Sequence, residues 1–259
     1  MIDEHEITTR ARRLGVDPSY IQKDYVLNCV LAAIAQVGDG LVFRGGTALA
    51  RVFWPDFRLS EDLDFITTSR IAPKLAAILD QAVDAATLQS GLDLRLDFGP
   101  PKGHWSRSLV RSDRIEILID INLGDRPYLP VEHLELDLPY SDSPNPSPRI
   151  GVVQLAEILG NKWFMLDDSD RNEPRDLFDV WAGLQRFDVA FEELARGHRA
   201  KYGFAPMIRQ LRNARRLEPL WVTRLSHQLV NLPPFDDVYA SVLRYYEAWH
   251  GSSGRGADD

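Results

Sequence analysis

Two acidic residues, one position apart, form the most reactive pattern in the sequence. Asp62 and Asp64 lie in the segment 59–66, which reads as a β-strand. Because strand side chains repeat every two residues, both carboxylates project from one face, about 7 Å apart at Cα. Neighbouring carboxylates repel each other and are costly to bury unpaired. A divalent cation resolves that conflict, and hard oxygen ligands favour Mg²⁺, with Mn²⁺ as a second choice, over zinc.

A glycine pair upstream suggests what such a cation would act on. Gly45 and Gly46 follow a short strand-like run, 40–43, and lead into a helical pattern that begins at Thr47. A strand-Gly-Gly-Thr-helix junction lets backbone N–H groups approach a triphosphate, and the helix N-terminus adds a favourable field. The sequence has no GxxxxGK[ST] motif, so this is not a P-loop. A glycine pair or an acid pair alone is weak evidence, but the two together predict nucleotide chemistry.

A third carboxylate is expected from a later strand. The segment "RIEILIDINL" alternates apolar and polar residues as a half-buried strand does, and Asp120 lies on its polar face. Glu116, four residues earlier on that face, is the alternate candidate. For Asp120 the competing interpretation is a charge on an exposed edge strand.

The elements around these residues predict an α/β (α+β) fold. Helical spacing covers 17–37 and 73–88, strand patterns cover 92–98 and the segment around Asp120, and Pro55 ends the helix after the glycines. The proline-rich segment 127–150 is expected to be a linker or wrapping loop without regular structure. Beyond it the patterns are helical. We therefore expect one domain over 1–145, a helical domain over 146–250 and a disordered tail over 251–259.

Composition narrows the class of protein. A chain of 259 residues with 44% hydrophobic content can form a real core, and it has a single cysteine, Cys29. No membrane-spanning run or signal peptide is evident, so a soluble cytoplasmic protein is expected. The net charge of −8 argues against indiscriminate binding along a polyanion. Residues 196–224 nevertheless hold eight cations and one acid, which predicts either an RNA-end docking site or a solvated helix face. The RNA-binding candidates in this segment are Arg209, Arg212, Arg215 and Arg216.

The order of motifs resembles a known family. Gly45-Gly46 followed by Asp62-Leu63-Asp64-Phe65 resembles the signature of polymerase-β-like nucleotidyltransferases. Four segments, "KDYVL", "FRGGTALARVFWPDFRLSEDLDF", "AEILGNKWFML" and "RDLFDVW", are similar in sequence and order to the AbiEii/AbiGii toxin family. Those proteins are the toxins of two-gene abortive-infection or toxin–antitoxin modules. The resemblance covers residues 20 to 185, and R-x-S-E-D-L-D-F is its most specific part.

The resemblance implies a fold and an activity. The fold is a polymerase-β-like mixed-sheet domain followed by helices. The activity is that of a type IV toxin, which transfers NMP from an NTP to an RNA acceptor, with the 3′ end of tRNA as the leading expectation. Such transfer would block aminoacylation, translation and growth, and an antitoxin from a neighbouring gene would be the protein partner.

The resemblance also implies roles for individual residues. Asp62, Asp64 and Asp120 would hold Mg²⁺, and Gly45, Gly46, Thr47, Ser60 and Lys162 would contact the nucleotide. Asp176 matches the family's catalytic aspartate and would orient or deprotonate the attacking hydroxyl. In some relatives a serine at the position of Ser60 is phosphorylated, which here would add negative charge beside the acids and block the site.

Simpler interpretations stand beside these roles. Lys162 lies on an apolar helical stripe, where a lysine commonly snorkels or forms an ion pair. Asp176 follows Pro174 and is favourably placed at a helix N-terminus. Arg175 and Asp179 are spaced for an i,i+4 ion pair. Two other functions also remain open: a catalytically inert nucleotide- or RNA-binding module, and a nucleotidyltransferase that modifies a small molecule such as an antibiotic.

Overall fold

The computed structural model describes residues 2–55, 57–67, 71–113, 115–229 and 231–253. The chain divides into two compact units, Met1–Val153 and Gln154–Asp259. No helix within the described ranges is long and apolar enough to cross a membrane.

The first unit contains one mixed sheet flanked by helices. Its α-helices are α1 (Glu4–Leu14), α2 (Pro18–Val37), α3 (Gly45–Ala48) and α4 (Leu75–Ser90), with a π-helical turn at Leu49–Phe53 and a 3₁₀ turn at Ala72–Lys74. Its strands are β1 (Leu41–Arg44), β2 (Asp62–Thr67), β3 (Arg95–Asp97), β4 (Trp105–Ser112), β5 (Ile115–Asn122), β6 (Glu132–Glu135) and β7 (Arg149–Val152). The strand order is β3-β4-β5-β2-β1-β7-β6, and the β2–β5 and β1–β7 pairs are parallel.

Helix α2 forms much of the core of this unit. The side chain of Asp17 accepts a hydrogen bond from the Ser19 N–H, and Pro18 occupies the first turn, so both start signals work as expected. From Ile21 onward most α2 side chains are buried, and the helix packs against α4 and the sheet. Cys29 is fully buried there, and burial raises its thiol pKa to about 12, so it is an inert structural residue.

The proline-rich segment is more ordered than its composition indicates. The expectation that 127–150 lacks regular structure is wrong, because β6 lies within the segment and β7 begins at its end. The prolines fall outside the strands: β6 contains none, and β7 starts directly after Pro148. Ladder hydrogen bonds are therefore not lost to proline nitrogens. Residues 132–135 pair antiparallel with 149–152 at one edge of the sheet.

The second unit is helical. It contains α5 (Leu155–Met165), α6 (Arg175–Gln185), α7 (Phe191–Tyr202), α8 (Ile208–Asn213), α9 (Trp221–Leu225) and α10 (Phe235–Ser253), with a 3₁₀ segment at Ala214–Leu220. Helices α5 and α7 approach each other closely, since a Cβ at Gly197 would overlap the carbonyl of Ala156. Residues 251–253 continue α10 rather than joining a tail, and 254–259 lie outside the described residues. The α/β prediction is confirmed by the mixed sheet and its many helices.

Candidate active site

Gly45 joins β1 to α3 in a conformation that only glycine adopts easily. Its φ is +82°, and a Cβ there would overlap a carboxylate oxygen of Asp64 and lie 3.0 Å from the Asp64 Cβ. Antiparallel pairing of β1 with β2 sets Arg44 opposite Asp64, which brings the glycine turn against the acid strand. The two motifs that the sequence separates by sixteen positions are therefore in direct contact.

Thr47 ties α3 to the segment that precedes β2. Its hydroxyl lies 2.5 Å from the Asp62 carbonyl oxygen and 2.7 Å from the Ser60 hydroxyl, and the residue is buried. The Thr47 proton goes to the carbonyl, which can only accept, so Ser60 donates to Thr47. The Thr47 side chain thus holds the turn together. Ser60 lies just before β2, which begins at Asp62 rather than at residue 59 as expected, and stays half-buried.

A buried arginine covers the start of α3. Arg58 is 7% exposed and donates to the Leu59 carbonyl, and a Cβ at Gly46 would lie 2.5 Å from its Nη2. A guanidinium against a helix N-terminus reinforces the positive field there. The sequence contains Arg58 in the R-x-S-E-D-L-D-F motif, but nothing in its spacing indicates that it approaches Gly46.

Asp62, Asp64 and Asp120 share one face of the sheet, which we call the acid face. In the parallel β2–β5 ladder Asp64 lies opposite Asp120, and Asp62 lies opposite Leu118. The three acids are half-buried, whereas the residues that alternate with them, such as Leu63 and Ile119, are fully buried. The third-acid candidate next to Asp64 is thus Asp120.

The alternate third acid is engaged elsewhere. Glu116 lies four residues before Asp120 on β5, and its side chain pairs with Arg111 at 3.0 Å. Its Cα partner in the β4–β5 ladder is that same Arg111. Asp120 rather than Glu116 therefore belongs to the acid face beside β2.

Arg107 on β4 places a positive charge beside the carboxylates of the acid face. Its Nε and Nη2 each donate to one Asp120 oxygen at 2.7 Å. The hydrogen bonds and charge of Asp120 raise the Arg107 pKa, and the charges of Asp62 and Asp64 raise it further. Sequence reasoning missed this residue. The signal available was the alternation of β4, but its register against β5 is visible only in the sheet.

The donor chemistry of the acid face fits a hard divalent cation. Among the described residues, no group of three or more His, Cys, Asp or Glu side chains is arranged to hold a metal ion. Asp62 and Asp64 are the carboxylate pair on β2, and both Asp120 oxygens accept hydrogen bonds from Arg107. Mg²⁺ is typically bound by one or two carboxylates together with substrate phosphates, and Asp62 and Asp64 are the residues that would hold it here.

A buried ion pair supports the helical turn behind the glycines. Arg51, in the π-helical turn that continues α3, donates through Nη2 to both Asp24 oxygens at 2.6 Å. The Tyr140 hydroxyl donates to Asp24 at 2.7 Å, and all three residues are buried. Burial and the Asp24 charge raise the Tyr140 pKa, so Tyr140 remains a donor. The "KDYVL" segment thus fixes the backbone that carries Gly45, a role that the sequence alone did not reveal.

The second unit holds a separate buried charge cluster. Lys162 is buried, and its Nζ lies 3.0 Å from Asp176 and 2.7 Å from Asp179. Arg171 also donates to Asp176 at 2.7 Å. Burial raises the pKa of Asp176, but Lys162 and Arg171 outweigh it and lower that pKa to about 2. The Asp176 carboxyl is therefore ionised at neutral pH.

The charges next to this cluster have further partners. Lys162 Nζ lies 2.7 Å from Asp179, and Arg175 pairs with Glu173 at 2.6 Å. The i,i+4 pairing of Arg175 with Asp179 stays a prediction.

Most of the RNA-binding candidates already have protein partners. Arg209 pairs with Asp167, and Arg215 pairs with Asp236 while its guanidinium lies 4.1 Å from the Tyr239 ring centre. Arg216 donates to four backbone carbonyls, those of Leu166, Asp168, Arg171 and Asn213. Arg212 is exposed and, with Arg216, lines a cavity of about 390 Å³.

In the first unit a glycine turn opens a helix beside an acid pair on the next strand of a mixed sheet, the arrangement from which the sequence predicts nucleotide chemistry. A sequence model described as nucleotidyl transferase AbiEii toxin, type IV toxin–antitoxin system, matches residues 29–241. The chain therefore belongs to the AbiEii nucleotidyltransferase toxin family, which confirms the resemblance read from the motifs and implies an antitoxin partner.

One solved structure supports the fold, and a second is reported beside it. A protein from H. pylori assigned as a nucleotidyltransferase matches 94% of this chain and 100% of its own, with a TM-score of 0.63 and 16% identity. MenT4, a nucleotidyltransferase toxin from Mycobacterium tuberculosis H37Rv, matches 95% of this chain and 99% of its own, with a TM-score of 0.49 and 17% identity. A search of curated protein sequences gives no match.

Proposed function

We propose that this protein transfers an NMP group from an NTP to the 3′ end of an RNA, with tRNA as the acceptor, in a Mg²⁺-dependent reaction in the cytoplasm. Transfer to that end would block aminoacylation and so stop translation and growth. The observation that carries the proposal is the contact of the Gly45 turn with Asp64, and the position of Asp64 opposite Asp120. We further propose that the first unit carries the transfer chemistry.

The geometry of the first unit supports an in-line displacement. Backbone N–H groups at Gly45, Gly46 and Thr47 would bind the triphosphate, with Arg58 adding positive charge at the same turn. A divalent ion held by Asp62 and Asp64 would neutralise charge on the phosphates. In this arrangement the pyrophosphate leaves on the α3 side of the acid face.

The attacking hydroxyl would then come from the opposite side. Its oxygen forms a bond to the α-phosphorus while the bond from that phosphorus to the bridging oxygen breaks, and pyrophosphate departs. Asp120 lies on the far side of Asp64 from α3, where it can accept the proton of the hydroxyl. Arg107, bonded to both Asp120 oxygens, orients that carboxylate.

The antitoxin would act at Ser60. A phosphate on its hydroxyl would stand beside the glycine turn and the acid pair, where it would repel a triphosphate. Its hydroxyl bond to Thr47 would also be lost. Both effects would close the nucleotide site.

Transfer is tested by incubating the protein with each labelled NTP, total tRNA and Mg²⁺ or Mn²⁺. We expect label in tRNA, and a fall of at least a hundredfold for Asp62→Asn, because removing one charge weakens metal and phosphate binding together. Asp93→Asn is the matched control, since Asp93 is exposed and its ion-pair partner among the described residues is its neighbour Arg95, at 2.6 Å. No label in tRNA with any NTP, or equal transfer by Asp62→Asn, would contradict the proposal.

A further inference from the structure

A single tryptophan stands exposed on the acid face of the sheet. Trp105 is 54% exposed, whereas its strand neighbour Ser106 is fully buried. Strand alternation places Trp105 on the same side as Arg107, whose guanidinium reaches Asp120. Exposing a large aromatic ring to water is unfavourable, and among the described residues neither a ring contact nor a hydrogen bond of its indole is found.

The backbone of Trp105 is fixed although its ring is open. The N–H and carbonyl of Trp105 pair with those of Lys102 at 3.2 and 2.8 Å, which closes the turn before β4. On the other side Trp105 lies opposite Asn122 in the β4–β5 ladder. Asn122 in turn accepts from the N–H groups of Gly124 and Asp125. The backbone that carries the ring is therefore held in place, which limits the entropy lost when a ligand stacks on the ring.

The distance between Trp105 and the acids is similar to the length of one nucleotide. Asp64, Asp120 and Arg107 form one row across β2, β5 and β4, and Trp105 lies two residues further along β4. Two strand spacings and two residues put the Cα atoms of Trp105 and Asp64 about 12 Å apart. That span is comparable with the distance from the phosphate to the far edge of the base within one nucleotide.

The strand that carries Trp105 indicates whether the ring would contact the incoming NTP or the RNA acceptor. In-line displacement requires the attacking hydroxyl to lie opposite the leaving pyrophosphate. The glycine turn that would bind the triphosphate lies on the β1 side of β2, and Trp105 lies beyond β5, on the other side. In the proposed reaction the base nearest Trp105 would therefore be that of the acceptor rather than that of the incoming nucleotide.

We propose that Trp105 is a stacking platform for the terminal nucleobase of the RNA acceptor. The inference rests on the proposed function, because the direction of attack assigns the ring to the acceptor. Stacking on an aromatic face tolerates any base, so Trp105 would select an unpaired, single-stranded end rather than a particular sequence. Arg107, two residues along, would lie beside the terminal ribose and phosphate.

A binding cycle tests the stacking without requiring turnover. Fluorescence anisotropy is measured with a short single-stranded RNA ending in a 3′-deoxynucleotide, and with the same RNA carrying an abasic 3′ terminus. Trp105→Ala should weaken binding of the intact RNA by about 5- to 150-fold, the range for losing one stacked base. The abasic RNA should bind wild type more weakly by a similar factor and should bind Trp105→Ala no more weakly than the intact RNA does.

Controls separate stacking from a general loss of surface. Trp105→Phe keeps an aromatic face and should retain most of the affinity. Leu88→Ala removes another exposed apolar side chain, 86% exposed on α4, and should bind both RNAs like wild type. Unchanged binding by Trp105→Ala, or an equal abasic penalty in wild type and Trp105→Ala, would overturn the proposal.

Steady-state kinetics identify which base is stacked. Trp105→Ala should raise the KM for the RNA acceptor and leave the KM for NTP unchanged. A raised KM for NTP with an unchanged KM for RNA would overturn the assignment to the acceptor. The anisotropy cycle decides whether Trp105 stacks a base even where transfer is not detected, so failure of the inference and failure of the proposed reaction give different results.

Discussion

Replacing Lys162 by methionine tests whether this lysine supports the second unit. The substitution keeps the length of the side chain and removes its charge. In the structure Nζ is bonded to Asp176 and Asp179, whose side chains are 3% and 0% exposed. Removing one partner of a buried ion pair costs roughly 3–5 kcal/mol because the remaining charge stays buried. Arg171 still balances Asp176, so we expect about 3 kcal/mol, the lower end of that range.

Urea unfolding of the full chain measures this loss. Four of the six tryptophans, Trp163, Trp181, Trp221 and Trp249, lie in the second unit and report on it by fluorescence. With a urea dependence of about 1–3 kcal/mol/M, a loss of 3 kcal/mol lowers the midpoint of the second unit by about 1–3 M.

A double variant provides the control for Lys162. Adding Asp179→Leu to Lys162→Met removes the uncompensated carboxylate and leaves the Asp176–Arg171 pair intact. Replacing a whole buried pair by apolar side chains is commonly neutral, so the double variant should regain most of the lost stability. A midpoint for Lys162→Met equal to that of wild type, with transfer activity lost, would refute the structural role and favour contact with substrate phosphates.

The difference in stability between wild type and Lys162→Met should depend on pH in a definite direction. The pKa of Asp176 is about 2 in the folded protein, below its ordinary value of 3.8. A depressed carboxylate pKa contributes stability that is present above pH 3.8 and is lost as the pH falls through about 2. Because Lys162 supplies part of that depression, the stability gap between wild type and Lys162→Met should be constant above pH 4 and should narrow toward pH 2. A gap that widens on acidification would contradict this assignment.

Two further changes probe the first unit. Gly45→Ala should reduce label transfer by at least a hundredfold. The new Cβ would overlap the Asp64 carboxylate, and the turn would hold alanine at a φ of +82°. A variant with wild-type transfer would show that the turn does not need this close approach. Asp24→Asn should lower the stability of the first unit by about 3 kcal/mol, measured by urea unfolding, because Arg51 would stay buried without its carboxylate; an unchanged midpoint would show that the pair is not needed to hold the turn.

Local sequence patterns were enough to predict the backbone structure that carries some of the candidate residues. The alternation of 115–122 identifies β5 and puts Asp120 on its polar face, and that strand is present as expected. The predicted strand-Gly-Gly-Thr-helix junction is also present, with Gly45 at a positive φ that favours glycine. These features depend on backbone geometry within a few residues, which the side-chain pattern records directly.

Contacts between distant segments could not be predicted in this way. Arg107 and Asp120 meet only because of the register of the β4–β5 ladder, and no local pattern specifies that register. The same applies to Asp24 and Arg51, which are 27 positions apart. The short strand β6 was missed for a different reason: proline density is a property of the whole segment, whereas strand formation depends only on whether the ladder positions themselves are free of proline.

The basic segment shows how counting charges can mislead about function. Eight cations in 196–224 indicate a strong positive field, yet Arg209 and Arg215 each face an acid, and Arg216 caps carbonyls of the α5–α6 connection. A cation beside a carboxylate contributes little to long-range attraction of RNA, because the two fields largely cancel. Arg216 instead acts on the fold: its bond to the Arg171 carbonyl holds the residue that pairs with Asp176. Any attraction of RNA by this segment therefore rests on fewer cations than the sequence indicates; Arg212 is exposed and lines the cavity beside Arg216.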